Sequence, residues 1–468
     1  MRKPRVAPSC RVWCLQAIRP FASTSRNPRS NPASSYSTAP PTSPPQTELL
    51  TILQEIIRTH GPLPVSKYMT LCLTHPNLGY YASQKVFGRQ GDFITSPEIS
   101  QIFGELLAIW FVTQWAAQGR PDKVRIVELG PGRGTLLADV LRTFKALPKQ
   151  SSPPVTSIHL VENSGALRAE QKSQLSAHGF GDTMTNWWGT ASEVPPTEDE
   201  FTLVVAHEFF DALPIHIFEH VDKGWREVLV DVADSKAITA TEPLRLVLSP
   251  GPTPASMLYT RLSSMAAVDA SSDRNAPKSQ SFNFDTTMPM PQAHSQEQSL
   301  SPTLSRFARL PIGSRIELSP ASWEIARDLG KTMQGPRGGA GLVIDYGDSK
   351  AFGRSWRGFR KHQVVDPLSE PGHTDLTANV DFAYLSEAMS DIVTCHEPMT
   401  QASFLYALGL EPRLQGLLQK ASSERKKDIE SAAKRLVDPT GMGTQYKVMM
   451  LTPKGLSEPV YPNPKKTK

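Results

Sequence analysis

The amino-acid sequence predicts an α/β protein: a mainly parallel sheet, preceded by a helical region and interrupted by an inserted subdomain. Three observations carry this. After Pro121, short β-branched runs alternate with helical stretches, the order that strand–helix–strand units require. From Thr47 to about Pro121 the apolar spacing is helical. From about Ala270 to Thr303 the chain is Ser-, Pro- and Gln-rich with few aliphatic anchors, too polar to offset the entropy of ordering. A length of 468 residues exceeds one ordinary domain, and 41 prolines fit long irregular segments.

The N-terminus stands apart by charge. Of 50 Lys and Arg, seven (Arg2, Lys3, Arg5, Arg11, Arg19, Arg26, Arg29) precede the first acid, Glu48, so the rest of the chain carries 43 bases against 45 acids. The positive charge is a tail and not a surface. An Arg- and Ser-rich, acid-free stretch matches a mitochondrial transit peptide, with Arg19-Pro20-Phe21-Ala22-Ser23-Thr24 resembling a matrix cleavage pattern. The alternative is a basic arm that binds nucleic acid, but the prediction is a matrix protein without a nucleic-acid partner. The apolar run Leu106 to Val112 falls far short of the roughly 20 residues of a membrane span, so none is expected. Four cysteines without a CxxC pair argue against a disulfide framework or a cysteine metal site, and no metal is expected.

The helical region opens with Leu49, Leu50, Leu53, Ile56 and Ile57 and continues through Ser66 to Leu73. Its clearest helix places Ile99, Ile102, Phe103, Leu106, Leu107, Trp110 and Phe111 on one face, started by Thr95-Ser96-Pro97-Glu98. The strand–helix series follows: Val124 to Leu129 then Thr135 to Phe144, Ser157 to Val161 then Ala166 to Leu175, Phe201 to Ala206, and later Gly341 to Ile344 and Tyr446 to Leu451. Arg226 to Val232, Leu244 to Leu248 and Ile312 to Leu318 read as strands of a subdomain projecting from the sheet. The predicted divisions are a disordered transit peptide at 1–46, the helical region at 47–120, the first part of the sheet domain at 121–232, an inserted subdomain at 233–325 with a disordered loop at 270–303, and the remainder with a C-terminal tail at 326–468.

The strongest chemical signal is Val127-Glu128-Leu129-Gly130-Pro131-Gly132-Arg133-Gly134-Thr135, directly after a strand and before a helix. Glycines there let backbone approach a ligand, and the helix N-terminus offers unpaired N–H groups. A dinucleotide fingerprint would need glycine at position 135, where Thr135 stands. The spacing acid-x-Gly-x-Gly-x-Gly instead resembles motif I of class I S-adenosylmethionine-dependent methyltransferases, which implies a Rossmann-like class I sheet with Gly130, Gly132 and Gly134 at the cofactor and Glu128 on its amino acid moiety. A tight turn without a ligand is the competing reading. The second strand ends at Glu162, where nucleotide-binding units place the acid that takes both ribose hydroxyls; alone it would be a helix N-terminal acid.

The segment Val204 to Pro214 places His207, Glu208 and Asp211 beside Phe209 and Phe210 at a strand's carboxyl end, where α/β sheets bind ligands. HExxH zinc chemistry fails because Asp211 stands where the second histidine belongs, and Gly330-Lys331-Thr332 lacks the first glycine of a phosphate loop, Ile325 taking its place. Glu208 and Asp211 are the candidate catalytic residues, two carboxylates placed to orient a cationic substrate group. His207, Asp345 and Asp375 are weaker substrate candidates, Asp345 and Asp375 reading equally as loop caps. In Gly91 to Ser100, Asp92 and Ser96 are placed over the cofactor, whereas Thr95 and Glu98 equally form a capping box.

Gly79-Tyr80-Tyr81, Gly91 to Leu107, ELGPGRGTL, HEFFDALP, Ile344-Asp345-Tyr346-Gly347 and Asp375 to Phe382 occur in the order of the MidA-like family, and the chain resembles it from about Thr47 to Pro453 apart from the insertion before Thr303 and a stretched loop after Asp366. That family comprises mitochondrial protein-arginine methyltransferases that assist complex I assembly. The resemblance implies S-adenosyl-L-methionine as cofactor and symmetric dimethylation of an arginine on a matrix-facing core subunit of complex I, an iron–sulfur protein. Two further readings stay open at this level: a methyltransferase of a small molecule or another side chain, and a binding protein that uses cofactor occupancy only to stabilise an assembly intermediate.

Overall fold

A computed structural model describes residues 47–82, 95–181, 184–233, 243–259, 307, 310–455 and 461–462. The predicted transit peptide, Asp92 and the 270–303 loop lie outside these residues. The described chain begins with helices α1 (Glu48–His60) and α2 (Val65–Thr74), joined by the short strand β1 (Leu63–Pro64). Then come α3 (Ser96–Ile99) and α4 (Gln101–Ala117). The alternating series follows: β2 (Val124–Leu129), α5 (Thr135–Ala146), β3 (Val155–Val161), α6 (Gly165–Ala177), β4 (Thr185–Trp188) and β5 (Phe201–His207). Strands β6 (His216–Val221), β7 (Gly224–Val232), β8 (Leu244–Leu248) and β9 (Arg315–Leu318) precede α7 (Pro320–Lys331) and β10 (Gly339–Asp348). Short strands β11 (Arg357–Arg360), β12 (Gln363–Val365), β13 (Asp375–Thr377) and β14 (Val380–Asp381) lead to α8 (Phe382–Met389), β15 (Val393–Cys395) and β16 (Met399–Thr400). Helices α9 (Gln401–Ala407), α10 (Leu410–Lys420), α11 (Ser423–Leu436) and α12 (Met442–Gln445) end at β17 (Tyr446–Pro453).

The main sheet has the order β15-β17-β10-β5-β2-β3-β4, with β14 and β16 at its margins. Strands β10, β5, β2, β3 and β4 are parallel, and β17 runs antiparallel between β10 and β15. Helices cover both faces, which explains why the strands read as continuous apolar runs. Ile126, Leu203 and Leu342 join α4, α5 and α9 on one side, whereas Val127, Val204 and Val343 join α7 and α8 on the other. Strands β1, β7, β6 and β9 with β8 form a separate antiparallel sheet, and α1 and α2 bury Leu53, Ile57, Tyr68 and Met69 against it through Ile217, Val228 and Val230. Among the described residues no helix is long and apolar enough to cross a membrane.

One helix differs from its sequence reading. Ile99 belongs to α3, and Ser100 breaks the helix with φ −156° and ψ 131°, its Oγ accepting from the Ile102 N–H at 3.3 Å. A serine hydroxyl competes for backbone donors, so it starts a new helix here and does not continue the old one. Nor does α4 bury a single stripe: Ile102, Phe103, Glu105, Leu106, Leu107, Trp110 and Phe111 are all buried, because α5 covers one side and the sheet another.

Where α4 crosses α5, a Cβ on Gly104 would sit 2.5 Å from Asp139 Cβ. Gly104→Ala should therefore lower stability by about 1–3 kcal/mol, although alanine is intrinsically the better helix former by about 1 kcal/mol. Denaturant melts of the variant give the sign, and a stabilised protein would mean that the crossing yields freely.

Candidate active site

The order of the main sheet reverses beside β2: the chain steps outward to β3 and β4, then returns to β5 on the other side. Loops diverge at such a point and leave a crevice at the carboxyl ends of the strands. A cavity of about 940 Å³ lies there, lined by the loops after β2, β3, β4 and β5, by the end of α2, by Tyr81 and by Asp375 and Thr377 of β13. Among the described residues, Glu98, Glu128, Glu162, Glu208, Asp211, Asp328 and Asp375 line it against one arginine, Arg133, itself paired to Glu170 at 2.6 Å. The cavity favours cations.

On one wall the glycine turn needs its glycines. Gly130, Gly132 and Gly134 have φ of 61°, 52° and 82°, the left-handed region, and a Cβ on Gly130 would meet the Phe209 ring at 2.7 Å. Glu128, at the end of β2, is 2 % exposed, and its Oε2 is buried with no hydrogen-bond partner among the described residues. Burial pushes its carboxyl up to about 8. An orphaned carboxylate oxygen beside the turn fits the ammonium of an adenosylmethionine. Glu162 accepts from the Ser164 N–H at 2.8 Å and from Gln171 Nε2 at 3.4 Å, and burial raises its carboxyl. The fully buried Gln171 also donates to the Gly132 carbonyl at 2.7 Å and accepts from Trp187 Nε1 at 2.9 Å, so one amide fixes the turn relative to Glu162.

The opposite wall is the loop after β5. Glu208 has φ 49°, a left-handed conformation uncommon outside glycine. Its Oε1 accepts from the Tyr446 hydroxyl at 2.8 Å and from the Ser96 N–H at 3.4 Å, while Oε2 is buried and has no partner among the described residues. Burial first, then the charges of Asp211 and Glu98, push this carboxyl up to about 8 against those two donors. His207 is buried with Nε2 unpartnered; burial pulls it down to about 3, so its 3.5 Å approach to Glu208 is not an ion pair. Asp211 is raised to about 6 by burial, with the Arg357 charge opposing. Thr377 adds a fourth buried polar atom, Oγ1, that has no partner and belongs to the cavity wall.

The structure thus gathers Glu128, Gly130, Gly132, Glu162, His207, Glu208, Asp211 and Asp375 around one cavity. Asp375 Oδ1 accepts from the Tyr81 hydroxyl at 3.4 Å. Gly134 lies behind the turn against Gln171. Two expectations come out elsewhere. Ser96 is fully buried with Oγ at 3.5 Å from Gln401 Oε1, behind the cavity wall and not over it, because Thr95 and Glu98 form the capping box that turns the chain there. Asp345 is fully buried and faces backbone: Oδ2 accepts from the N–H groups of Phe209, Phe210 and Asp211 at 3.2, 2.9 and 3.2 Å, and Oδ1 from Tyr346 at 2.8 Å. Gln171, Thr377 and Tyr446 escaped the sequence reading. Neutral residues in unremarkable helical or strand patterns give no local signal of this kind.

Comparison with known proteins bears on this geometry. A family model described as "Putative S-adenosyl-L-methionine-dependent methyltransferase" matches residues 106–399. The chain is 36% identical over 411 residues to "Protein arginine methyltransferase NDUFAF7, mitochondrial" of Danio rerio, covering 84% of each chain. It is 38% identical over 421 residues to the homolog of that protein in Drosophila melanogaster (86% of this chain, 84% of the relative). To the Homo sapiens protein it is 33% identical over 425 residues (87% and 84%). In fold it is similar to a Burkholderia thailandensis protein bound to S-adenosyl-homocysteine, with TM-score 0.63 and 24% identity over 86% of this chain and 91% of that one.

With its carboxyl near 8, Glu128 is mostly protonated in the free protein at pH 7, whereas an ammonium partner needs the carboxylate. S-adenosyl-L-methionine binding should therefore release a proton at Glu128 and tighten as pH rises toward 8; calorimetry in buffers of different ionisation enthalpy measures this. Glu128→Gln should abolish that release and weaken binding roughly ten- to a hundredfold, the scale of a lost hydrogen bond to a charged group. Without ligand, the folded protein holds a proton at Glu128 that the unfolded chain has released, so stability falls as pH rises from 4.5 to about 8 and no further on this account. The Gln variant should show a shallower loss of melting temperature over that range.

Proposed function

We propose that this chain, which belongs to the S-adenosyl-L-methionine-dependent methyltransferase family matched above, methylates arginine side chains of a mitochondrial protein. The cofactor, when bound, supplies an electrophilic methyl group on a sulfonium. Everything else is positioning. The glycine turn brings backbone against the cofactor, Glu128 meets its ammonium, Glu162 the ribose hydroxyls, and the walls exclude water.

The observation that carries the arginine reading is the free, buried Oε2 of Glu208 in the same cavity as the glycine turn. A guanidinium has five donors and a fixed positive charge, so it satisfies a carboxylate that none of the described residues completes. Ionised Glu208 would draw the guanidinium charge toward the nitrogens it holds and leave the remaining nitrogen for in-line attack, with Asp211 adding negative potential. Relatives at 33–38% identity named as protein arginine methyltransferases support the same substrate chemistry.

The finer reading is symmetric dimethylation of an arginine on an iron–sulfur core subunit of respiratory complex I in the matrix, in support of its assembly. It rests on the resemblance to the MidA-like family, on relatives named mitochondrial, and on the acid-free N-terminal stretch. Cells supplied with methyl-labelled methionine should lose label from one arginine of such a subunit when this protein is removed, measured by peptide mass spectrometry. Unchanged symmetric dimethylarginine on every core subunit would refute the complex I substrate.

At the site, Glu208→Gln should cut single-turnover methyl transfer about 10²-fold or more while leaving cofactor affinity intact, because the amide presents a donor to a donor. Transfer in the wild-type protein should rise with pH through about 8, as Glu208 ionises. A Gln variant with normal turnover per folded molecule would return Glu208 to a structural role.

A further inference from the structure

Tyr446 begins β17, yet the antiparallel direction of that strand sets it at the carboxyl edge of the parallel strands, paired with Tyr346 of β10. From there its hydroxyl reaches Glu208 Oε1 at 2.8 Å, across 238 positions of sequence. The ring is held on several sides: it is fully buried, lies 4.0 Å from the Tyr346 ring, and stacks at 12° on His207, whose other neighbour is Phe103. We propose that Tyr446 is the positioning residue of the site, fixing one oxygen of Glu208 so that the other stays turned toward the substrate guanidinium. This rests on the arginine reading above.

Two effects follow from one hydroxyl. The first is geometric: Glu208 Oε1 has the phenol, a long contact from the Ser96 N–H and His207 Nε2 at 3.5 Å, whereas Oε2 has no partner among the described residues, so the bond to Tyr446 fixes which oxygen is left unpaired. The second is electrostatic. Glu208 is faced by Asp211 on its own loop, Asp345 from β10, Glu98 from α3, the neutral His207, and the rings of Tyr346 and Tyr446. Of these, the acids Asp211 and Glu98 oppose its ionisation, and among the described residues Tyr446 gives the one side-chain hydrogen bond that favours it. Burial and the Glu208 charge keep the phenol protonated, hence a donor.

The test uses the full chain saturated with S-adenosyl-homocysteine and N-acetyl-argininamide as guanidinium probe, followed by calorimetry from pH 6 to pH 9. Tyr446→Phe should weaken the probe about tenfold, the scale of one charge-assisted bond, and move the midpoint of its pH dependence upward, with S-adenosyl-homocysteine affinity unchanged. Normal probe affinity and an unmoved midpoint, with only the melting temperature lowered, would make Tyr446 a packing residue and overturn the proposal. Glu208→Gln separates the two claims: if it binds the probe normally, the arginine reading itself fails. Should Tyr446→Phe not fold, the infrared difference between wild type and Glu208→Gln decides. A Glu208 carboxyl band shifted by a strong hydrogen bond supports the proposal, and the band of a free carboxyl overturns it.

Discussion

The carboxylate of Asp345, fully buried at the end of β10, accepts three successive backbone N–H groups on one oxygen and a fourth on the other. Those donors belong to Phe209, Phe210 and Asp211, where the chain leaves β5 and turns back sharply enough to put Glu208 at φ 49°. Left unpaired inside the protein, each N–H would cost about 1–3 kcal/mol; gathered on one acceptor, they lock the turn. The same loop presses Phe209 against Gly130 and, through the Asp211 carbonyl, takes the Ala378 N–H at 3.0 Å. One carboxylate therefore holds a loop that touches both the glycine turn and the residue just after β13.

Among the described residues, other buried acids have partners, which makes the cavity acids conspicuous. Glu317 accepts from the N–H groups of Ser355 and Trp356 at 2.7 and 3.1 Å and from the Ser355 hydroxyl. Glu105 takes Arg413 bidentately at 2.7 and 2.9 Å, and Glu227 holds His216 at 2.7 Å and Thr253. Glu128 and Glu208, by contrast, each keep one buried oxygen without a partner. That arrangement destabilises the free protein and is relieved by any cation that enters, so stability given up at the site returns as ligand affinity. Cofactor and guanidinium are both cationic, and the cavity offers each its own half-satisfied carboxylate.

Much of this was legible locally. The glycine turn with Glu128, the acid at Glu162 and the cluster His207, Glu208, Asp211 each sit within a few residues of a strand end, where the fold makes their position predictable. Asp345 was visible as an acid at a strand end, but sequence could not say that it faces backbone, since the three N–H groups it collects lie 134 to 136 positions away. Tyr446 and Thr377 were hidden for the same reason: strand pairing across the sheet, and not local pattern, carries them to the cavity. Ser100 misled the helical count because its apolar neighbours keep the spacing through the break it imposes. Ser96 looked like a cofactor contact, yet the capping box in the same segment turns it inward.

Glu128 and Glu208 line one cavity, and each keeps one buried oxygen without a partner among the described residues. A crystal structure of the chain with S-adenosyl-homocysteine and an arginine-containing peptide shows whether two cations complete them. The ligand's ammonium is expected on Glu128 Oε2 and the guanidinium on Glu208 Oε2, each within hydrogen-bond distance, with the Tyr446–Glu208 bond retained. A guanidinium bound elsewhere, or a Glu208 whose second oxygen has turned to a protein donor, would contradict this arrangement.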